Sequence, residues 1–192
     1  MKIVFDIDGV LADFVKGFTT LASQAFYVPI TGTLNQPSWQ GFPGMQKHQV
    51  CQTWDYVNES NTFWYDLDPL VTHDELQGIE RLRQSHEVYF CTARTGRSAK
   101  TQTELWLRMH GVKYPTVIIC KHKGDFCKAV GADYAIDDKA SNASYIDWQT
   151  EGRTKSYLIN RPYNQVPAEF LASGVKRVNT VSEFMEAMRE QH

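Results

Sequence analysis

Short apolar runs alternate with amphipathic stretches along most of this chain. The runs Lys2–Phe5, Glu87–Cys91, Thr116–Cys120, Tyr134–Ile136 and Ser156–Ile159, with a shorter one at Lys176–Val178, predict strands. Between them apolar residues recur at helical spacing: Leu76, Ile79 and Leu82 within 73–84, and Leu105, Trp106 and Met109 within 99–110. Gly111 and Gly131 follow helical patterns at the place of a C-terminal cap glycine. The alternation predicts an α/β fold, a parallel sheet with helices on both faces.

Residues 14–70 break the rhythm. They are rich in aromatics, among them Phe14, Phe18, Phe26, Trp39, Trp54, Tyr56, Phe63 and Trp64. Pro29, Pro37 and Pro43 with Gly32, Gly41 and Gly44 predict a loop over 29–44 between helical segments. An insertion directly after the first strand sits over that strand's carboxyl end. The expected organisation is therefore a catalytic core of 1–13 and 71–192 with a small, mainly helical cap of 14–70. For any single aromatic, membership of the cap's own core is the simpler expectation.

At 192 residues, one domain with a large insertion fits better than two equal domains. A formal charge of −2 argues against a dedicated polynucleotide binder, so no stable nucleic-acid partner is expected. The four cysteines form no CxxC pair and no zinc spacing, and Cys91 and Cys120 end apolar runs as buried thiols would. With no signal-like or membrane-spanning run, a reducing cytoplasmic setting is the expectation.

The chemistry gathers at strand ends. Asp6 and Asp8 lie two residues apart after Ile3–Phe5, so both carboxylates project into one small volume, and Gly9 lets the backbone turn there. Carboxylates that close repel unless a cation or a shared proton relieves them. After the second run come Thr92, Ala93 and Arg94, a hydroxyl, a small residue and backbone N–H groups suited to a phosphate oxygen. After the third come Lys121, Lys123 and Lys128; Lys123 is the first choice because Gly-Asp follows it and opens a helix, with Lys121 and Lys128 left open. The fourth ends in Asp137 and Asp138, expected to be a direct metal ligand and a water-mediated or orienting partner respectively. Oxygen ligands of this kind suit Mg²⁺.

In this order, DxDG then Thr then Lys then DD, the chain resembles the haloacid dehalogenase superfamily of phosphatases. Within it the chain looks most like the 5′(3′)-deoxyribonucleotidases, on three stretches: 6–13 (DIDGVLAD), 63–70 (FWYDLDPL) and 160–164 (NRPYN), the last similar to bacterial and phage members. The resemblance implies a Rossmann-like core, Asp6 as nucleophile, Asp8 as acid and base, and Mg²⁺ held by Asp6, the Asp8 backbone carbonyl and Asp137. It implies phosphate contacts from Thr92, Ala93 and Lys123, and a nucleoside monophosphate stacked on cap aromatics, with Phe14, Phe18, Phe63 and Trp64 as candidates and Arg94 reaching the sugar-phosphate. A homodimer is common for such enzymes, though no segment announces an interface. A polynucleotide 3′-phosphatase, a sugar or cofactor phosphatase, and a non-catalytic phosphate-binding protein are the rival readings.

Overall fold

The computed structural model describes residues 1–27 and 44–190. The loop expected over 29–44 lies outside them, apart from Gly44. Six strands form one parallel sheet: β1 (Lys2–Phe5), β2 (Glu87–Thr92), β3 (Thr116–Ile119), β4 (Tyr134–Asp137), β5 (Lys155–Ile159) and β6 (Lys176–Val178). Their order is β3-β2-β1-β4-β5-β6. The chain thus grows outward one way through β2 and β3, then returns to the centre and grows the other way from β4. Between β1 and β4 the connections diverge, which opens a crevice beyond the carboxyl ends of those strands.

Among the described residues seven α-helices follow in chain order: α1 (Phe14–Phe26), α2 (Lys47–Glu59), α3 (His73–Leu82), α4 (Ala99–Met109), α5 (Lys123–Val130), α6 (Ala140–Gln149) and α7 (Val181–Arg189). They cover both faces of the sheet, and the two-residue period of the strands assigns each side chain its layer. Ile3, Phe5 and Ile136 pack in one cluster with Ile79 of α3 and Phe184 of α7. Val4 and Ala135 point the opposite way, into a cluster with Cys127 of α5 and Ile146 of α6. Glu75 caps α3 with Thr72 and also accepts from the Ser182 N–H at 2.9 Å, tying α3 to α7.

Two expectations need correction. Leu105 and Met109 are 45% and 53% exposed, whereas Ala99, Gln102, Thr103, Trp106 and Leu107 are buried. The buried stripe of α4 is therefore partly polar, because Gln102 and Thr103 serve neighbouring segments rather than solvent. Thr92 and Asp137 belong to their strands, pairing with Ile119 and Leu158, rather than to the loops that follow. Cys91 and Cys127 are buried and Cys120 half-buried, all as free thiols.

The segment between Asp13 and Leu70 begins and ends at one place. The Asp13 N–H donates to the Asp68 carbonyl at 2.8 Å and the Leu70 N–H to the Leu11 carbonyl at 2.7 Å. Among the described residues, α1 and α2 pack together between these crossing points. No helix among the described residues is long and apolar enough to cross a membrane.

Candidate active site

Beyond Phe5 the chain keeps its strand direction for one residue, with the Asp6 N–H donating to the Ile136 carbonyl at 3.0 Å. It then coils tightly, the N–H groups of Leu11 and Ala12 both donating to the Ile7 carbonyl at 2.8 and 2.9 Å. Gly9 has φ of 79°, and a Cβ there would fall 2.1 Å from Asp138 Oδ2. This coil fixes Asp6, 4% exposed, with Oδ1 accepting from the Ile7 N–H at 2.6 Å.

Lys123 opens α5 and reaches back between two carboxylates, its Nζ 2.6 Å from Asp6 Oδ2 and 2.6 Å from Asp137 Oδ2. It is buried, whereas Lys121 and Lys128 are exposed. Burial pushes the Asp6 carboxyl well above its ordinary range against the pull of Lys123, and Asp137, Asp138 and Asp8 push the same way. Burial disfavours the Lys123 charge, but Asp137 and Asp6 outweigh it and hold the ammonium protonated.

Asp8 faces a different cation. Arg94 Nε lies 3.1 and 3.0 Å from its two oxygens and Nη2 2.8 Å from Oδ1, a two-pronged grip. The Thr92 hydroxyl donates to Asp8 Oδ2 at 3.3 Å. Arg94 Nη1 donates to Thr103 Oγ1 at 2.9 Å, and the guanidinium lies 4.9 Å from the Trp64 ring centroid. Expected to reach a sugar-phosphate, Arg94 is instead buried and occupied by Asp8.

The acid pair is divided between two environments. Asp137 Oδ1 accepts from the Lys139 N–H at 2.8 Å and Asn142 Nδ2 at 3.1 Å, while Oδ2 takes Lys123. Asp138 Oδ2 accepts from the Tyr163 hydroxyl at 2.6 Å, and Oδ1 is buried without a hydrogen-bond partner. Burial lifts the Asp138 carboxyl to about 6, helped by Asp137 and opposed by Tyr163. Asp6, Asp137 and Asp138 each bring an oxygen to within 4.8 Å of the others. Three buried carboxylates against one ammonium, with an orphaned oxygen, fit a hard divalent cation such as Mg²⁺. The oxygens of Asp137 are engaged by Lys139, Asn142 and Lys123, whereas Asp138 keeps one oxygen open.

These groups line a cavity of about 100 Å³. Asp6, Asp8, Thr92, Lys123 and Asp138, with Ala93 among them, line its polar side, and Asp137, 1% exposed, is not among the lining residues. Phe14, Trp54 and Trp64 form the apolar wall, with Arg94 beside them. Phe14 stacks on Trp54 and on Trp64, at centroid distances of 5.4 and 5.7 Å. Trp64 is 2% exposed and donates from Nε1 to the Thr95 carbonyl, so it is a packed anchor rather than an open platform. Phe18 and Phe63 belong to the core cluster and do not line this cavity.

A family model described as 5′ nucleotidase, deoxy (pyrimidine), cytosolic type C protein matches residues 1–185. The chain belongs to this family. Comparison with curated protein sequences returns no match. Among solved structures, a haloacid dehalogenase-like hydrolase from Burkholderia xenovorans superposes with TM-score 0.62 and 13% identity, over 98% of this chain and 96% of that one. A protein named as a β-phosphoglucomutase from Thermotoga maritima gives 0.58 and 17%, over 98% of each chain. The HAD-hydrolase YfnB from Bacillus subtilis, bound to magnesium, gives 0.57 and 14%, also over 98% of each. At such identities the likeness shows the fold, which is that of these hydrolases.

As a deoxynucleotidase-like phosphoric monoester hydrolase, the chain carries site residues that its motifs do not announce. Trp54 stood among the cap aromatics without distinction, and only the packing of α2 on α1 turns it into the cavity. Asn142 follows the acid pair by about one helical turn, a spacing that brings its amide back onto Asp137. Tyr163 lies in the Asn-Arg-Pro-Tyr-Asn stretch, visible as a motif but without assignable chemistry until β5 delivers it beside Asp138.

Proposed function

We propose that this hydrolase cleaves nucleoside monophosphates, deoxy or ribo, to nucleoside and phosphate through an aspartyl-phosphate. The observation that carries this reading is a buried nucleophile-type carboxylate, Asp6, opening into a cavity with an aromatic wall. Residues 14–70 act as the cap that supplies that wall.

Asp6 attacks phosphorus, a P–O bond to Asp6 forms, and the bond to the sugar oxygen breaks. Asp8, at the carboxyl end of the same strand, gives its proton to the leaving alkoxide. It then takes a proton from the water that attacks the aspartyl-phosphate, which frees phosphate and restores Asp6. Thr92, the Ala93 N–H and Lys123 hold the phosphoryl oxygens, with Lys123 kept charged by Asp137. Asp6 and Asp138, together with the Asp8 backbone carbonyl that the family resemblance implies, would hold Mg²⁺, while Asp137 acts through Lys123 and Asn142. The cation, when bound, screens Asp6 from the phosphate dianion and spreads the charge of the transferring group. Trp54, half-buried on the wall, is the aromatic best placed to meet a base.

The test is phosphate release from 5′- and 3′-nucleoside monophosphates in deoxy and ribo forms, a sugar phosphate and a 3′-phosphorylated oligonucleotide, with Mg²⁺ and with EDTA. Metal-dependent release from mononucleotides is expected. Release confined to the sugar phosphate or the oligonucleotide would keep the chemistry and overturn the reading of the cap. Ligand-induced stabilisation without turnover would leave a binding protein.

A further inference from the structure

The Asn-Arg-Pro-Tyr-Asn stretch at 160–164 takes no part in the chemistry above, yet it touches both loops that carry the acids. Arg161 donates from Nε to the Gly9 carbonyl at 2.6 Å and from Nη2 to the Val10 carbonyl at 3.3 Å. Asn164, 1% exposed, donates from Nδ2 to the Asp138 carbonyl and the Ile159 carbonyl, both at 2.7 Å. Its Oδ1 accepts from the Arg161 N–H at 2.9 Å, closing the stretch on itself. Between them the Tyr163 hydroxyl donates to Asp138 Oδ2 at 2.6 Å. The same hydroxyl lies 2.4 Å from where a Gly9 Cβ would stand, so Gly9, Asp138 and Tyr163 meet without spare volume.

We infer that Arg161, Tyr163 and Asn164 form a strut that sets the cation affinity of the site, with Tyr163 as a positioning residue for Asp138. A carboxylate has two oxygens, and free rotation would present either one. By occupying Oδ2, Tyr163 leaves Oδ1 as the oxygen available to a cation, and Oδ1 is the buried atom without a partner. Arg161 holds the coil after Asp6 at a fixed distance from that oxygen, because the same five residues grip both loops. Outer-shell partners of this kind typically change metal affinity or activity about 10- to 100-fold when removed. The inference rests on the cation reading of the site and adds the residues that tune it.

The test is calorimetric titration of Mg²⁺ into metal-free protein, wild type against Tyr163→Phe, which keeps the ring and removes only the hydroxyl. A Kd about tenfold weaker is expected in the variant, with thermal unfolding in EDTA close to wild type. The Mg²⁺ concentration giving half-maximal phosphatase activity rises in parallel, and excess Mg²⁺ recovers turnover. Arg161→Lys, which keeps the charge but loses the planar fork that presents Nε and Nη2 to the two carbonyls, loosens the other end and is expected to weaken Mg²⁺ binding severalfold. Equal Kd values for wild type and both variants would overturn the strut while leaving the cation reading intact. No Mg²⁺ binding by the wild-type protein would overturn both.

Discussion

Arg94 holds Asp8 in a two-pronged grip, Nε 3.0 Å from one carboxylate oxygen and Nη2 2.8 Å from the other, with a side chain that is wholly buried. A lysine could match the charge but not the fork. With Asp8 free to rotate, proton delivery to a nucleoside alkoxide suffers first. Arg94→Lys is therefore expected to lower kcat on a nucleoside monophosphate by about 10²-fold. With 4-nitrophenyl phosphate, whose leaving group departs without a proton, the loss in kcat/KM, which ends at departure of the leaving group and so excludes the water step that Asp8 also serves, should be much smaller than with the nucleotide. Equal losses on both substrates would make Arg94 a structural residue.

Asp6→Asn removes the nucleophile while keeping its shape. Turnover should fall by at least ~10³-fold, measured as phosphate release in a preparation free of host phosphatases. Stability should move the other way or not at all. Burial already disfavours the Asp6 charge, and Lys123 retains Asp137. Unfolding in EDTA should therefore occur at the wild-type temperature or above. A fall of several degrees would mean that the ion pair with Lys123 outweighs the cost of burying the carboxylate.

The two tryptophans of the cavity wall separate cleanly. Trp64→Ala should cost about 3–5 kcal/mol of stability, seen as a lower denaturant midpoint, because the ring is buried and anchored through Thr95. Trp54→Ala should instead raise KM for a mononucleotide by roughly 5- to 150-fold, the range that 1–3 kcal/mol of base stacking implies. A small phosphate ester without a base should show little change. If Trp54→Ala affected both substrates alike, the base would have to sit elsewhere.

Acid pairs held in a dry site make the metal-free protein lose stability as pH rises through the weakly acidic range. The Asp138 carboxyl stands at about 6 in the fold against an ordinary value of 3.8. Between those values the folded chain keeps a proton that the unfolded chain has lost. This contribution to stability is complete below about pH 4 and is lost as pH rises through about 6. In EDTA the contribution of this group should therefore fall across that window, read as the wild-type unfolding temperature relative to Asp138→Asn. With Mg²⁺ present the fall should shrink, since a cation replaces the proton. A wild-type profile parallel to that of Asp138→Asn would show that Asp138 is not held in this way.

The local pattern was sufficient for the architecture because strand and helix periods are written in neighbouring residues. Val4 and Phe5 had to face opposite layers, and the carboxyl end of Lys2–Phe5 had to carry Asp6 and Asp8. Lys123 could be favoured over Lys121 and Lys128 because a helix start follows it, and burial separates the three in the structure. The α4 stripe departs from its apolar period because Gln102 and Thr103 are polar residues buried for their partners, Gln102 for the Trp64 N–H and Thr103 for Arg94. No periodicity records a hydrogen bond to another segment, whether 38 residues away as for Gln102 or nine as for Thr103.

What the sequence alone determined was the set of chemical groups and the strand ends that bear them, since both follow from residue identity and short-range geometry. Which oxygen of which aspartate stays free, which aromatic faces the cavity and which cation holds Asp8 were decided only by the tertiary structure. Those answers depend on contacts between segments far apart in the chain, Asp8 with Arg94, Asp138 with Tyr163 and Phe14 with Trp54, and the packing of the whole sheet and its helices fixes them.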